Sequence, residues 1–266
     1  MALFHIIILA LVQGITEFLP ISSSGHLLII SPLTGWPDQG QVLDIAVHVG
    51  TLFAVILYFW RDIVEIAVAL LNPRRSESAP ALRLFGHVII ASIPAVIAGG
   101  LLYFLVTLDL RSILLVAMTT IIFGVLLGWA DKTYPVNNSL RQMNYRDALI
   151  IGVFQIFSLL PGTSRSGVTM MAARMRGFDR AEAAHFSMLL SIPTIMGAGT
   201  LGILSLLNAG NADFSMDALL AAGIAFVFAL LAISLLMKWI NRIGFMPFVI
   251  YRLALGVLLL GVYFLS

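Results

Sequence analysis

The sequence predicts an all-α polytopic integral membrane protein with about six transmembrane helices and two re-entrant helix hairpins. Three observations carry this. Of 266 residues, 60% are apolar and 11% charged, against about 25% charged in a soluble domain, and the mean hydropathy is +1.03. The apolar residues come in long runs rather than in the alternation of a β-barrel. The loops between runs are alternately rich and poor in Lys and Arg. Too few polar residues remain to clothe a soluble enzyme, and a disordered chain or a coiled coil is excluded on the same ground. A net charge of +2 is too weak to point to nucleic acid. With no cysteine there are no disulfides, thiolate nucleophiles or Cys-ligated metals. We read residues 1–266 as one membrane domain, with approximate repeats at 1–130 and 131–266.

Six runs are long enough to cross: approximately 42–60, 84–105, 112–130, 184–207, 217–237 and 245–265. Arg61, Arg74, Arg75 and Arg83 follow the first run. Lys132, Arg141 and Arg146 follow the third, and Lys238 and Arg242 the fifth. The other connections are poor in positive charge, so the positive-inside rule puts the basic loops in the cytoplasm. The N-terminus lacks the basic flank of a signal peptide and carries Gln13 and Glu17 in its apolar run, so it reads as mature structure.

Two apolar segments are left over. Residues 3–19 run into Pro20, Ser22, Ser23, Ser24, Gly25 and His26. Residues 147–160 run into Pro161, Gly162, Thr163, Ser164, Arg165, Ser166 and Gly167. The second segment has basic residues on both sides and is too short to span, so it enters and leaves on the cytoplasmic side. The first then does the same from outside; the alternative is a plain first span. An apolar helix, a Leu-Pro break and a Ser/Gly turn, twice and from opposite faces, is the pattern of an inverted repeat whose broken helices meet near the midplane. Serine hydroxyls and the free N–H groups of the returning helices would bind an anion there. A weaker echo at Pro94 and Pro193 predicts paired kinks at most.

Charges in an apolar setting are costly and invite a functional reading. Gln13 and Glu17 share a helix face one turn apart. Glu17, His26 and Arg165 each adjoin a Ser/Gly turn, and these three are the strongest candidates. Asp44 and His48 form another i,i+4 pair at an outer helix end; Arg252 stands alone in an apolar run. His87 and His185 read as structural. An arginine fork suits phosphate oxygens, and a carboxylate beside a phosphate calls for a base role or a hard cation between them. Acid, imidazole, hydroxyl and guanidinium together describe phosphoryl transfer to water better than transport.

Gln13-x-x-x-Glu17-Phe18-Leu19-Pro20-x-Ser22-Ser23-x-Gly25-His26 and Pro161-Gly162-x-Ser164-Arg165-Ser166-Gly167-x-Thr169 closely resemble the two signature motifs of the bacterial undecaprenyl-diphosphate phosphatase family, also called bacitracin-resistance proteins. The likeness runs along nearly the whole chain, through Gly50-Thr51-Leu52, Phe59-Trp60-Arg61 and Phe245-Met246-Pro247-Phe248-x-x-Tyr251-Arg252. It implies hydrolysis of a C55 polyprenyl diphosphate to the monophosphate and inorganic phosphate, which recycles the carrier lipid of cell-wall synthesis. It also implies Mg²⁺ or Ca²⁺, a place in the bacterial cytoplasmic membrane, a site opening to the outer face, and a link to antibiotic resistance. The partners it implies are the lipid substrate and the bilayer, with a second copy of the chain as a candidate. The family carries Glu or Gln at the first motif position; with Gln13 here, the metal expectation falls on Glu17 and Asp44.

The expected catalytic residues are Glu17, Ser23, His26 and Arg165. The expected substrate-binding residues are Gln13, Ser22, Ser24, Gly25, Gly162, Ser164, Ser166, Gly167, Thr169 and Arg252. Three routes are open for the attack: Ser23 with His26 as base, which we favour, His26 itself, or metal-activated water. His48 carries no assignment. The alternative function is a secondary transporter or lipid flippase of the same architecture. The type-2 phosphatidic acid phosphatase pattern fails, since Met171 stands where its histidine should follow Ser164-Arg165.

Overall fold

The computed structural model describes residues 3–36, 39–105, 112–208 and 215–265; these residues form helices and connections, with no strand among them. The α-helices are α1 (Leu3–Thr16), α2 (Ser23–Thr34), α3 (Gly40–Tyr58), α4 (Trp60–Leu71), α5 (Ala79–Leu105) and α6 (Ile113–Thr133). They continue as α7 (Tyr145–Gln155), α8 (Arg165–Met175), α9 (Arg180–Asn208), α10 (Met216–Ile243) and α11 (Met246–Leu265). Among the described residues, six helices are long and apolar enough to cross a membrane: α3, α5, α6, α9, α10 and α11. They coincide with the six predicted runs, because a predominantly apolar stretch of 18 or more residues has few other favourable conformations in hydrocarbon. Their outer faces are apolar and exposed, as at Val96, Ile97, Leu219, Ile250 and Val257.

The remaining helices are short. α1 has 14 residues, α2 has 12, and α7 and α8 have 11 each. At 1.5 Å per residue, even α1 extends only about 21 Å, less than the ~30 Å of a hydrocarbon core. The predicted segment 147–160 appears as α7 followed by a 3-10 turn at Ile156–Leu159. The start of α7 is set by a capping box: Asn144 Oδ1 accepts from the Asp147 amide at 3.0 Å, and Asp147 Oδ2 accepts from the Asn144 amide at 3.2 Å.

α1, α7 and α8 pack against the long helices, whereas α4 buries only Ala69. α1 lies against α10 and α7 against α5, while α3 contacts α9 and α10, and α6 contacts α8 and α11. Small residues permit these close crossings. A side chain at Gly14 would meet the Ala225 carbonyl, one at Gly50 the Ala222 carbonyl, and one at Gly152 the Ala91 carbonyl. Pro94 and Pro193 sit inside α5 and α9 respectively.

At the end of the bundle carrying the basic loops, α8 is tied down by a buried charge network. Asp131 of α6 accepts from Arg180 Nε at 2.7 Å and from Arg174 Nε at 3.2 Å. Arg174 also donates to the Tyr134 carbonyl at 2.7 Å and to the Phe178 carbonyl. Asp147, fully buried, pairs with Arg176 at 2.7 Å. The buried carboxylate of Asp131 thus holds the far end of the helix whose first residue is Arg165. Asp131→Ala leaves the buried Arg174 without its counter-charge, and its expected cost is about 3–5 kcal/mol of stability. A thermal-unfolding midpoint in detergent equal to that of the wild type would show that the network carries no such weight.

Candidate active site

α1 and α7 each end in a turn, and the two turns meet. They are built alike. Ser22 and Ser164 are the two non-glycine residues with left-handed backbone among the described ones, at φ of 72° and 71°. Such a conformation costs a serine of the order of 1–3 kcal/mol and persists where its surroundings enforce it. Each serine caps the helix that follows. Gly25 N–H donates to Ser22 Oγ at 3.3 Å, and Gly167 N–H donates to Ser164 Oγ at 3.1 Å. Ser22 Oγ lies 3.2 Å from Ser24 Oγ, and Ser164 Oγ 3.2 Å from Ser166 Oγ.

The turns also bond to each other. Gly162 N–H donates to Ser24 Oγ at 3.3 Å, and Ser166 Oγ donates to the Leu19 carbonyl at 2.9 Å. Helix breaks free backbone carbonyls, which cannot be left unpaired away from water. Thr119 and Thr120 of α6 donate to the Pro161 and Gly162 carbonyls at 2.6 and 3.2 Å. Arg252 of α11, wholly buried, serves three carbonyls of the turns and one of α6. It donates to the carbonyls of Gly162 and Thr163 at 3.0 and 2.9 Å, of Thr120 at 3.1 Å and of Pro20 at 3.5 Å. A Cβ on Gly167 would lie 2.9 Å from Arg252 Nη1, which explains glycine there.

Between the turns is a cavity of about 170 Å³. Glu17 and Arg165 line it, together with Ser22, Ser23, Ser24 and Ser164. Arg165 Nη2 donates to Glu17 Oε1 at 3.2 Å, and both side chains are about nine-tenths buried. Arg165 Nη1 donates to the Ser187 carbonyl at 3.0 Å, which aims the guanidinium. Glu17 Oε2 accepts from Ser23 Oγ at 2.9 Å and from Gln13 Nε2 at 2.8 Å. Thr169, through its contact with Ser187 Oγ at 2.6 Å, supports this wall rather than lining the cavity. The first residues of α2 and α8, with their free N–H groups, border the same space.

Besides Thr169, expected placements differ at His26, Arg252 and Asp44. His26 does not face Ser23: its Nδ1 lies 2.7 Å from the Ser22 carbonyl and its Nε2 lies 2.6 Å from the Tyr251 hydroxyl. Arg252 does not line the cavity; its donors are on the turn carbonyls. Asp44 lies along a separate cleft with Ile6, Leu9 and Leu43, and accepts from Gln39 Nε2 at 2.9 Å. The other member of that i,i+4 pair enters instead. His48 lines the cavity, with Nε2 3.8 Å from Glu17 Oε2 and Nδ1 2.7 Å from the Asp44 carbonyl. Ser158 lines the cavity as well. Sequence reading missed Ser158 and Tyr251; a shift of 142 residues, which superposes Ser22 on Ser164 and Gly25 on Gly167, also superposes Thr16 on Ser158 and Gln13 on Gln155.

Among the described residues no three His, Cys, Asp or Glu side chains gather into an all-protein metal cage. The cavity's hard donors are one carboxylate, Glu17, and serine hydroxyls. That set fits a hard cation that keeps phosphate and water oxygens as most of its ligands.

A family model described as bacitracin resistance protein BacA matches residues 6–258. The chain belongs to this family. A Ruegeria pomeroyi protein named undecaprenyl-diphosphatase is 50% identical over 266 residues, covering 98% of this chain and 99% of that protein. One of the same name from Alteromonas mediterranea is 49% identical over 261 residues, covering 98% of both. Undecaprenyl-diphosphatase 1 of Rhodospirillum rubrum is 45% identical over 273 residues, covering 100% of this chain and 97% of its own length.

In this BacA-family chain the role of Arg252 is testable by itself. Arg252→Lys keeps the charge but cannot reach all four carbonyls, and buried unpaired carbonyls cost about 1–3 kcal/mol each. The expected result is a clear fall in the unfolding midpoint in detergent. An unchanged midpoint would mean that the turns do not depend on the guanidinium.

Proposed function

We propose that this chain hydrolyses undecaprenyl diphosphate to undecaprenyl phosphate and inorganic phosphate, in the cavity between the two turns. The observation that carries this is the meeting of Arg165 with Glu17 and Ser23 beside two helix N-termini. Guanidinium and amides suit a phosphoryl group, and a hydroxyl held by a carboxylate suits attack upon it. The shared name of the relatives favours the hydrolase over the transporter.

Arg165 and the amides at the starts of α2 and α8 hold the terminal phosphoryl group and stabilise the charge on its equatorial oxygens. Ser23 Oγ attacks that phosphorus. Its proton passes to Glu17 Oε2, the oxygen it already faces. The bond from phosphorus to the bridging oxygen breaks, and undecaprenyl phosphate leaves with its electron pair. Water then cleaves the phosphoserine, releasing phosphate and restoring Ser23. Glu17 takes the part that sequence reading gave to His26, because the imidazole nitrogens are engaged elsewhere. Mg²⁺ or Ca²⁺, held by Glu17 together with diphosphate oxygens, would neutralise charge on the phosphates.

We also read the architecture as an inverted repeat with two re-entrant hairpins, α1–α2 and α7–α8. In support, the partners exchange in pairs: α1 lies on α10 as α7 lies on α5, and the two turns share their caps and their mutual bonds. By the positive-inside rule the basic loops lie in the cytoplasm of the cell that holds this inner-membrane protein. The site then opens outward, where the diphosphate is released by polymer synthesis, and its turnover supports cell-wall growth and bacitracin resistance.

Purified protein in detergent, supplied with farnesyl or C55 diphosphate, should release phosphate, and EDTA should stop it. Arg165→Ala should lower the rate by about 10³ or more, and Arg165→Lys should restore little, since the fork is lost. Full activity in Arg165→Ala would end the clamp. Rapid quenching of labelled substrate should leave label on the wild type and none on Ser23→Ala. Label that survives in Ser23→Ala and vanishes in His26→Ala would make the imidazole the nucleophile.

A further inference from the structure

Tyr251 and His26 form a contact that the proposed chemistry leaves unused. The Tyr251 hydroxyl lies 2.6 Å from His26 Nε2, and the two rings are stacked at 5.5 Å with 7° between their planes. His26 Nδ1 lies 2.7 Å from the Ser22 carbonyl. A carbonyl can only accept, so Nδ1 carries the proton. Nε2 of the neutral ring then accepts from the tyrosine, whose O–H is the donor. The bonds therefore run in one direction, from Tyr251 through the imidazole to the Ser22 carbonyl, and aligned bonds of this kind reinforce one another.

The end of that chain is the strained turn. Ser22 has φ of 72°, its carbonyl accepts from the imidazole Nδ1–H, and its neighbour is Ser23. α2 has 12 residues and packs on α1 and α6; its first turn is held by the Ser22 cap and by Ser23 and Ser24, and the imidazole adds a tie to the Ser22 carbonyl itself. α11 is anchored at the next residue by Arg252 and its four carbonyl bonds. Tyr251 is thus fixed to the same frame that holds both turns.

We propose that Tyr251 is a positioning residue: acting through His26, it holds the Ser22–Ser23 turn with the Ser23 hydroxyl aimed into the cavity. The inference rests on Ser23 as the attacking group. It assigns His26 the part of a strut with a defined tautomer, Nδ1–H and Nε2 bare. The effect belongs to the rate of reaction, because neither Tyr251 nor His26 is among the residues lining the cavity.

The test uses the full-length protein in detergent. Tyr251→Phe keeps the stacked ring and removes only the donor. It should lower kcat about ten-fold with KM unchanged. In protein with ¹⁵N-labelled histidine, the wild type should show an Nδ1–H tautomer at His26, and Tyr251→Phe should shift the Nε2 resonance. His26→Asn retains a donor for the Ser22 carbonyl, so it should keep part of the activity and become indifferent to Tyr251→Phe. An unshifted Nε2 resonance with wild-type kcat would overturn the proposal. So would equal losses from Tyr251→Phe in the wild-type and His26→Asn backgrounds, or a raised KM at constant kcat, which would place Tyr251 on the substrate. If the wild type releases no phosphate, the hydrolase reading fails, and the resonance shift still decides whether the tyrosine holds the imidazole.

Discussion

A helix that breaks inside the bundle frees backbone carbonyls and amides, and each needs a protein partner or a wet cavity to face. This constraint organises the centre of the molecule. α1 and α7 both break, and their freed groups are paired by Ser24, Ser166, Thr119, Thr120 and Arg252. Among the described residues Arg252 is the largest wholly buried side chain, and it donates to carbonyl oxygens. Four backbone dipoles take the place of a counter-ion. The same arrangement that satisfies the backbone also brings the two helix N-termini to one cavity, so the site follows from the way the breaks are repaired.

The pair of Arg165 and Glu17 lies inside that frame. Removing two charges from water is costly, and mutual attraction offsets the cost only when further hydrogen bonds complete each partner. Here they do: Gln13 and Ser23 donate to the carboxylate, and the Ser187 carbonyl accepts from the guanidinium. In the proposed reaction, an incoming diphosphate competes with Glu17 for Arg165. The pair therefore keeps the guanidinium oriented before substrate arrives, and the far end of α8 is held by Asp131 so that the orientation is not lost through tilting of the helix.

Two serines with left-handed backbone are the sign of strain held in place for a purpose. They occur at the same point of two turns that are 142 residues apart, Ser22 and Ser164, and each is followed by a helix whose first residue lines the cavity: Ser23 in one, Arg165 in the other. One architecture thus presents a hydroxyl from one side and a guanidinium from the other. The difference between the two turns, rather than their likeness, supplies the complementary groups.

The amino-acid sequence alone determined the helical class, the six long apolar helices, the basic loops and the two Ser/Gly turns. These are properties of composition and of runs along the chain, and hydrocarbon permits few alternatives. It also singled out Glu17, His26 and Arg165, because a charge or imidazole beside a helix break is rare in an apolar setting; of these Glu17 and Arg165 line the cavity and His26 does not. Tertiary structure decided what each side chain faces. His26 follows Ser23 by three residues, yet the packing of α11 turns its ring to Tyr251. Asp44 and His48 share a face of α3, and the crossing with α1 admits only the histidine to the cavity. Spacing along a helix fixes which residues share a face; the rotation of that helix against its neighbours, set by contacts more than 100 residues away in the chain such as Gly50 on Ala222, fixes where the face points.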